Sequence, residues 1–476
     1  MKILYTASEA VPFAATGGLG DVMGSLPSAV RKKSGDSADV RVVIPLYPVI
    51  RDKFGESLTT IWEGSVTLAW RRQYMGILKT EKDGVIYYFI DNEYYFRRQS
   101  FYGDYDDGER FAFFSAAVLE LFGIIDYYPD IIHANDWQTA LIPVYLRLWY
   151  GGRREYDSIR TVYTIHNISY QGIYSPEILW DVFGIWDRDR DLLDYGGNVN
   201  LTKGGIVCAD RVTTVSPTYA SEIQTEHFSH GLHHILRENS HKLSGIINGI
   251  DTDRYSPEKD SSIAENYSAS LIKGKSACRD ELCRMCGFEN DSLPIVGMVS
   301  RLASHKGFDL VERVIREMLD SGEAGFVLLG TGEKRYEDYF SYLSHIYSGR
   351  FRAFITFDSA LASKIYAGAD MFLMPSESEP CGLAQMIASR YGTVPIVRET
   401  GGLSDTIKPL RDDTGTGNGF TFANYNAHDM MYTIRRAISV YKNKRRWKKL
   451  IQQTMSVDFS WERSAAEYLK LYEGLI

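Results

Sequence analysis

Two cations follow a predicted buried strand at residues 295–299. Arg301 and Lys306 lie in the segment 300–307, directly after the last apolar residue of that strand. In parallel sheets, ligands bind beyond the carboxyl ends of the strands. Arginine offers a planar fork and lysine a point charge. The pattern indicates a site for a diphosphate, and a solvated loop with two ordinary cations is the alternative.

An acidic segment follows another predicted strand, at residues 370–374. Glu379 lies there, immediately before Pro380 and Cys381. A carboxylate at such a place can accept hydrogen bonds from sugar hydroxyls. The alternative is a helix-initiating loop whose acidic residues complement the helix dipole.

One six-residue pattern, Thr-Gly-Gly-Leu-x-Asp, occurs twice. It covers residues 16–21 after the first predicted strand, and residues 400–405 after an apolar run at 394–397. In both places a helical segment follows. Glycines let backbone N–H groups approach a phosphate closely, and a helix N-terminus favours an anion. The repetition predicts two α/β domains that each place a glycine loop near one cleft.

Several other groups point less clearly to chemistry. His166 ends a predicted strand, where a lone histidine is more often structural than catalytic. The cysteines at 278, 283 and 286 have one known iron–sulfur spacing, but the next cysteine is Cys381 and the segment is predicted to be helical, so they are interpreted as buried thiols. The histidines at 227–234 are interpreted as non-metal residues, since nothing in the spacing singles out further ligands. The aromatic runs 87–89 and 94–96 give weak support for a carbohydrate partner, since most such residues fill cores.

The elements that must position these residues alternate between strand and helix. The predicted strands include residues 2–6, 325–329 and 353–357, and a helical segment at 276–286 is predicted to end at Gly287. Alternation of this kind favours parallel sheets. The chain has 476 residues, which suggests two or three domains. Its 53 basic and 61 acidic residues give a net charge of −8, so a nucleic-acid partner is not expected. No apolar window is long enough for a membrane span, and the five cysteines fit a reducing cytoplasm.

The ordered motifs together resemble a known family, the bacterial glycogen synthases and plant starch synthases of glycosyltransferase family 5. The resemblance extends over nearly the whole chain. It rests on the following segments: 7–9, 16–22, 107–112, 135–140, 164–167, 170–172, 214–219, 248–251, 300–302, 306–307, 379–383, 390–392, 400–405 and 458–461.

The resemblance implies a fold and an activity. The fold is the GT-B arrangement, with a Rossmann-like N-terminal domain on the acceptor side at 1–245 and a Rossmann-like nucleotide-sugar domain at 246–457. A C-terminal helix at 458–476 packs back on the first domain. The reaction is retaining transfer of glucose from ADP-glucose to the non-reducing end of an α-1,4-glucan such as glycogen. No metal and no cofactor are expected, since the nucleotide sugar is a substrate.

The resemblance also implies residue roles. Arg301 and Lys306 stabilise the departing diphosphate, together with N–H groups of Gly18 and Leu403. Glu379 and the backbone after Cys381 hold glucose hydroxyls, and His166 approaches from the other domain. The substrate-binding residues expected are Thr16, Gly17, Gly18, Asp21, Asn248, Cys381, Gly382, Leu383, Thr400, Gly401, Gly402 and Leu403.

One departure from the family pattern weakens the expected donor site. The family usually has lysine before Thr-Gly-Gly-Leu, where it contacts the donor phosphates, and this chain has Ala15. A lost charge-assisted hydrogen bond costs about 1.5–3 kcal/mol. Two alternatives therefore stand beside a slow synthase: a catalytically weak or inactive glucan-binding paralogue, and a related glucosyltransferase with another donor or acceptor.

Overall fold

The structure is a computed structural model that describes residues 1–288 and 292–476. The chain divides into two compact units. The N-terminal unit comprises Met1–Gly249 together with Trp461–Ile476, and the C-terminal unit comprises Ile250–Ser460. The predicted boundaries, after residues 245 and 457, lie a few residues before these divisions.

The N-terminal unit contains a large mixed sheet, built mainly from buried Val, Ile and Leu residues. Its order is β12-β11-β7-β6-β1-β2-β5-β4-β3. Neighbouring strands run parallel from β12 to β5, and β4 is antiparallel to both β5 and β3. The strands of this unit, including the small sheet β8-β10-β9, are β1 Lys2–Thr6, β2 Asp39–Pro45, β3 Thr59–Leu68, β4 Arg71–Lys82, β5 Val85–Asp91, β6 Ile131–Asn135, β7 Arg160–Ile165, β8 Ile173–Tyr174, β9 Asp194–Tyr195, β10 Asn198–Asn200, β11 Arg211–Thr214 and β12 Leu243–Gly245.

Helices connect these strands. The long helix α4 is buried along most of its length, as its run of Phe, Ala and Leu residues predicts. The helices of this unit are α1 Gly18–Ser34, α2 Pro48–Phe54, α3 Glu93–Phe96, α4 Asp107–Ile125, α5 Leu141–Tyr145, α6 Ile178–Asp181, α7 Leu201–Cys208, α8 Pro217–Glu222 and α9 His233–Glu238, with α18 Trp461–Glu473 from the C-terminus.

The C-terminal unit contains a parallel sheet in the order β15-β14-β13-β16-β17-β18. Every neighbouring pair in it is parallel. Its strands are β13 Ile295–Val299, β14 Gly325–Leu329, β15 Phe351–Phe354, β16 Met371–Met374, β17 Val394–Arg398 and β18 Phe420–Phe422. Its helices are α10 Lys273–Cys286, α11 Phe308–Ser321, α12 Lys334–Ile346, α13 Ser359–Gly368, α14 Ala384–Arg390, α15 Gly401–Thr406, α16 Ala427–Lys442 and α17 Lys444–Met455.

The C-terminal helix α18 belongs to the N-terminal unit, as the resemblance implied. Its buried Tyr472 hydroxyl lies 2.9 Å from that of Tyr5 in β1 and 2.6 Å from Nδ1 of His133 in β6. Lys32 of α1 donates to Glu462 at 3.1 Å. The helix is therefore fixed to two central strands by a buried polar chain.

The alternating strands and helices confirm the predicted α/β class. The antiparallel extension β3–β4–β5 is missing from the sequence prediction, and the strand predicted at 353–357 lies earlier, at Phe351–Phe354. Within residues 1–288 and 292–476, no helix is both long enough and apolar enough to cross a membrane.

Candidate active site

In the C-terminal unit, the predicted diphosphate cation and the predicted sugar carboxylate lie side by side. Lys306 follows β13 and Glu379 follows β16. The Lys306 ammonium donates to Glu379 Oε2 at 2.7 Å and to Oε1 at 2.9 Å. Ser376 Oγ also donates to Oε2, at 2.9 Å. Because Glu379 is buried, this ion pair fixes the carboxylate and compensates its charge.

The two loops approach closely because position 307 has no side chain. Gly307 has φ 78°, in the left-handed region that favours glycine. A Cβ there would lie 2.2 Å from the carbonyl oxygen of Pro375. The Glu377 N–H also donates to the His305 carbonyl at 2.9 Å. The loop after β13 is therefore packed directly against the loop after β16.

Arg301 is exposed, and it forms no ion pair with the described part of the chain. His305 lies between the two cations, and burial together with Lys306 and Arg301 lowers its pKa. Lys306 is paired with Glu379, so Arg301 is the more accessible of the two cations for an anionic ligand.

The second glycine loop is buried against the Glu379 segment. The Gly402 N–H donates to the Glu379 carbonyl at 3.1 Å and to the Pro380 carbonyl at 3.2 Å. A Cβ on Gly402 would lie 2.1 Å from the Cys381 carbonyl oxygen, and one on Gly401 would lie 2.0 Å from the Glu379 carbonyl oxygen. Positions 401 and 402 are glycine because the two segments pack too closely to leave room for a side chain.

The other residues of this unit that were predicted to bind substrate lie in the same two segments. The Leu403 N–H, expected to bind diphosphate, donates to the Thr400 carbonyl at 3.0 Å. Cys381 is buried, Gly382 has φ 72°, and Leu383 immediately precedes α14. The backbone after Cys381 therefore turns sharply into a helix, and its contact with glucose hydroxyls stays a prediction.

The first glycine loop has a different environment. Glu9 is buried after β1 and accepts hydrogen bonds from the Thr16 N–H at 2.5 Å and from its hydroxyl at 3.0 Å. Burial raises the pKa of Glu9. Gly17 and Gly18 are exposed, and a Cβ on either would meet no atom within 4 Å. Within the N-terminal unit, the space beside these two glycines is therefore open.

Two further predicted residues of the loop are placed by α1. Gly18 is the first residue of this 17-residue helix, and Asp21 is in its first turn. Ala15 is exposed directly before the loop. Exposed N–H groups at the start of a long helix favour an anion.

His166 directly follows β7 and is held beside the end of β6. Its Nε2 lies 2.9 Å from Asn135 Oδ1. Burial lowers its pKa to about 3. The imidazole is therefore neutral near pH 7, and it is suited to hydrogen bonding with a polar ligand instead of to charge pairing.

Asp136 is a candidate site residue that the sequence did not single out. It has φ 58° and ψ 179°, a conformation that costs free energy for a residue with a side chain. Its Oδ1 accepts from the His166 N–H at 2.7 Å. Burial raises its pKa to about 7, and Glu9 contributes to the increase. Only its place at a strand end, in Asn135-Asp136-Trp137, could have indicated it.

The remaining predictions have mixed outcomes. Asn248 lies in the N-terminal unit, where it is buried, and its Oδ1 accepts no hydrogen bond from the described residues. The aromatic runs are mostly core: Tyr87, Tyr88, Phe89, Tyr95 and Phe96 are buried, so they offer no sugar surface. Within the described ranges, no three His, Cys, Asp or Glu side chains form a group that could hold a metal ion.

Comparison with known proteins identifies the chemistry. A model of the starch synthase catalytic domain matches residues 2–238, and a model of the glycosyl transferases group 1 matches residues 287–454. Glycogen synthases of Bacillus cereus (strain Q1) and Clostridium novyi (strain NT) are each 47% identical to this chain, and the matches cover 100% of it. They cover 100% and 99% of those relatives.

Solved structures agree with these matches. The catalytic domain of starch synthase IV from Arabidopsis thaliana, bound to ADP and acarbose, has a TM-score of 0.89 and 35% identity, over 99% of each chain. A sucrose-phosphate synthase from Thermosynechococcus elongatus has a TM-score of 0.61 at 17% identity, over 100% of this chain and 98% of that one, and shows the fold alone. The expected GT-B class is confirmed.

The full-length matches decide between the alternatives left by the sequence. A binding paralogue and a transferase with another donor or acceptor are not favoured, because the similarity to glycogen synthases covers both units. The chain belongs to the glycogen synthase and starch synthase family of glycosyltransferases.

Proposed function

We propose that this protein is a glycogen synthase that transfers glucose from ADP-glucose to the non-reducing end of an α-1,4-glucan, with retention of the anomeric configuration. Family membership supports the reaction class. The bound ADP in the starch synthase IV structure supports an adenine nucleotide as the leaving group.

The observation that carries the proposal is the intact group of Arg301, Lys306 and Glu379. Their side chains follow two adjacent parallel strands, β13 and β16, at the sheet edge where ligands bind. The buried ion pair between Lys306 and Glu379 holds both groups in defined positions, while Arg301 remains exposed. A decayed site would have no reason to retain this combination.

In the proposed mechanism, charged side chains lie where opposite charge develops during the reaction. As the bond between glucose and diphosphate breaks, negative charge grows on the leaving diphosphate and positive charge grows on the sugar. Arg301 and Lys306 stabilise the leaving group, since fixed charges in a preorganised site need no rearrangement. Glu379 accepts hydrogen bonds from glucose hydroxyls, and Lys306 holds its carboxylate in position.

The N-terminal unit contributes polar groups that are neutral or easily neutralised. His166 is uncharged because burial lowers its pKa to about 3, so it binds a sugar hydroxyl as a neutral partner. Asp136, with a pKa raised to about 7, accepts a hydrogen bond when ionised and donates one when protonated. The exposed N–H of Gly18, at the start of α1, is suited to bind a phosphate.

Ala15 makes donor binding weaker than in relatives with lysine at this position. The expected loss is about 1.5–3 kcal/mol, which is about 10- to 100-fold in affinity or rate. The remaining phosphate contacts keep the site functional at this reduced affinity.

The test is transfer from two donors to one acceptor. Purified protein is incubated with glycogen and either ADP-glucose or UDP-glucose, and glucose added to the polymer is measured with the new linkage identified by NMR. We expect α-1,4-linked glucose, with ADP-glucose preferred. Preference for UDP-glucose would refute the donor assignment, and no transfer from either would refute the proposed function.

A further inference from the structure

Gln385 is a fully buried polar residue beside the turn that was predicted to hold glucose. It lies in the first turn of α14, two residues after Leu383, and it is 0% exposed. Its amide nitrogen donates to the carbonyl oxygens of Cys381 and Gly382, at 3.0 Å in each case. One buried side chain therefore holds two consecutive peptide groups of this turn.

The same nitrogen also contacts the second glycine loop. It donates to Thr406 Oγ1 at 3.1 Å, and the Thr406 hydroxyl donates to the Gly402 carbonyl at 2.6 Å. The Gly402 N–H in turn donates to the Glu379 carbonyl at 3.1 Å. Gln385 thus joins the turn after Cys381 to the glycine loop that packs on the Glu379 segment, through hydrogen bonds that are all buried.

The orientation of this amide follows from its surroundings. Three acceptors surround one terminal atom, so that atom is the nitrogen and not the oxygen. The Oε1 atom is buried and accepts no hydrogen bond from any residue that the structure describes. It lies 2.6 Å from the place that a Cβ on Gly382 would take. Because a buried acceptor without a partner costs free energy, the contacts of the nitrogen account for glutamine at this position.

Holding two carbonyl groups fixes the direction of the N–H groups that follow them. In a trans peptide, the C=O of one residue and the N–H of the next point in opposite directions, and both peptide bonds here are trans. The N–H groups of Gly382 and Leu383 therefore point away from Gln385. Neither group donates a hydrogen bond to an acceptor in residues 1–288 or 292–476, and both residues are partly exposed.

Two adjacent neutral donors suit the hydroxyl oxygens of a sugar. Each hydroxyl can accept a hydrogen bond from an N–H group while it donates its own hydrogen to a carboxylate. The turn follows β16 at the carboxyl end of the parallel sheet, shortly after Glu379, so donors and a carboxylate lie in one segment. Free ADP has no glucose hydroxyls and gains nothing from these two donors.

We propose that Gln385 is a positioning residue of the glucose site: it directs the N–H groups of Gly382 and Leu383 toward the glucose hydroxyls of the donor, without touching the substrate. The inference rests on the proposed function, because it takes the glucose donor from it. Its effect is confined to the sugar part of the donor, since Gln385 holds the turn and not the cations of the diphosphate site.

The first test compares binding of ADP-glucose with binding of ADP, by calorimetric titration without acceptor. In Gln385→Met, which keeps the length of the side chain but removes its donor, we expect the ratio of the Kd for ADP-glucose to the Kd for ADP to rise about 10-fold. The Kd for ADP itself should stay unchanged.

Thr393→Val is the matched control in the same unit. Thr393 is also 0% exposed, and its hydroxyl donates to the Ala369 carbonyl at 2.8 Å, outside the turn and the glycine loop. This variant should lower the thermal midpoint and leave the ratio as in the natural chain. An unchanged ratio in Gln385→Met, or an equal rise in Thr393→Val, would overturn the proposal.

The second test uses Gln385→Glu, which separates the donor from the shape and replaces the methionine variant if that variant does not fold. An ionised carboxylate cannot donate, whereas the protonated acid donates one hydrogen bond. Burial favours the protonated form as the pH falls. Relative to the natural chain, the ratio should be raised at about pH 8 and should return toward the natural value at about pH 5. A relative ratio that does not change with pH would contradict the role of the donor.

Transfer of glucose to glycogen is measured in parallel, so that the two proposals can fail separately. If the natural chain transfers no glucose but Gln385→Met raises the ratio, the proposed function fails and the role of Gln385 stands. If transfer occurs and the ratio does not depend on Gln385, the positioning role fails alone. A natural chain that binds neither ADP-glucose nor ADP would overturn both.

Discussion

The same Thr-Gly-Gly-Leu pattern serves two different physical purposes in the two units. In the C-terminal unit, Gly401 and Gly402 are buried, and a Cβ on either would overlap the backbone of residues 379–381. In the N-terminal unit, Gly17 and Gly18 are exposed and have no neighbours at the corresponding distance. A repeated pattern therefore does not imply a repeated role.

The two loops differ in whether their backbone is available to a ligand. The second loop has its N–H groups at Gly402 and Leu403 donating within the protein, and it positions Glu379 through the backbone. The first loop is anchored through Thr16 to Glu9, and Gly17 and Gly18 face open space. The second loop is thus part of the framework of its site, whereas the first is free to approach a ligand.

The largest expected effect comes from the side chains that the second loop positions. Glu379→Gln and Arg301→Ala should each lower kcat by about 10²–10³-fold, because each removes a preorganised charge. Steady-state kinetics with ADP-glucose and glycogen measure this. The thermal midpoint should change little in Arg301→Ala, since Arg301 is exposed. Near-normal turnover in either variant would contradict the site assignment.

The next effect is a gain at the first loop. Ala15→Lys should lower the Kd for ADP by about 10- to 100-fold, because it adds a charge-assisted hydrogen bond of about 1.5–3 kcal/mol. Calorimetric titration with ADP measures the change, and Ala15→Met controls for side-chain bulk. If both variants bind ADP like the natural chain, another group already supplies this contact.

A pair of matched glycine substitutions tests whether the two loops are packed differently. Gly402→Ala should destabilise the protein by about 1–3 kcal/mol, since the new Cβ must displace the Cys381 backbone. Gly18→Ala should change stability by no more than about 0.5 kcal/mol while weakening ADP binding. Chemical denaturation and ADP titration of both variants measure this. Equal destabilisation would show that the two loops are packed alike.

The smallest effect is a pH dependence at Asp136. Its pKa is about 7 when folded and near 3.9 when unfolded, so the folded state binds more protons between these values. The contribution of this carboxyl group to folding stability is complete below about pH 4 and is lost as the pH rises through 7. In Asp136→Asn the group does not titrate, so this loss of stability does not occur. The stability of the variant relative to the natural chain should therefore be roughly 1–2 kcal/mol higher at pH 8 than at pH 5, measured by thermal unfolding, and a difference independent of pH would refute the raised pKa.

The elements that can be predicted from the sequence are those with a regular local pattern of apolar residues. The strands at Lys2–Thr6, Ile295–Val299 and Gly325–Leu329 were predicted with their observed bounds, because each is a short apolar run fully within a parallel sheet. Residues placed after such strands, including Arg301 and Glu379, follow directly. The left-handed Gly287 that ends α10 was predicted for the same local reason.

Other features depend on tertiary contacts that no local pattern encodes. β3 is exposed along much of its length, so its weak alternation gave no strand signal. The pairing of Lys306 with Glu379 joins residues 73 positions apart, and Asp136 accepts a hydrogen bond from the His166 N–H, 30 positions away. Tyr87 and Tyr95 in the tyrosine-rich runs are buried, whereas Tyr94, next to Tyr95, is 63% exposed, because exposure is decided by packing.

The assignment of Glu379 and of the transfer reaction is tested together by the initial rate of glucose transfer from ADP-glucose to glycogen, measured for the natural chain and for Glu379→Gln. We expect clear transfer by the natural chain despite Ala15, and a loss of about 10²–10³-fold in the variant. Absence of transfer by the natural chain, or equal rates for the two proteins, would contradict it.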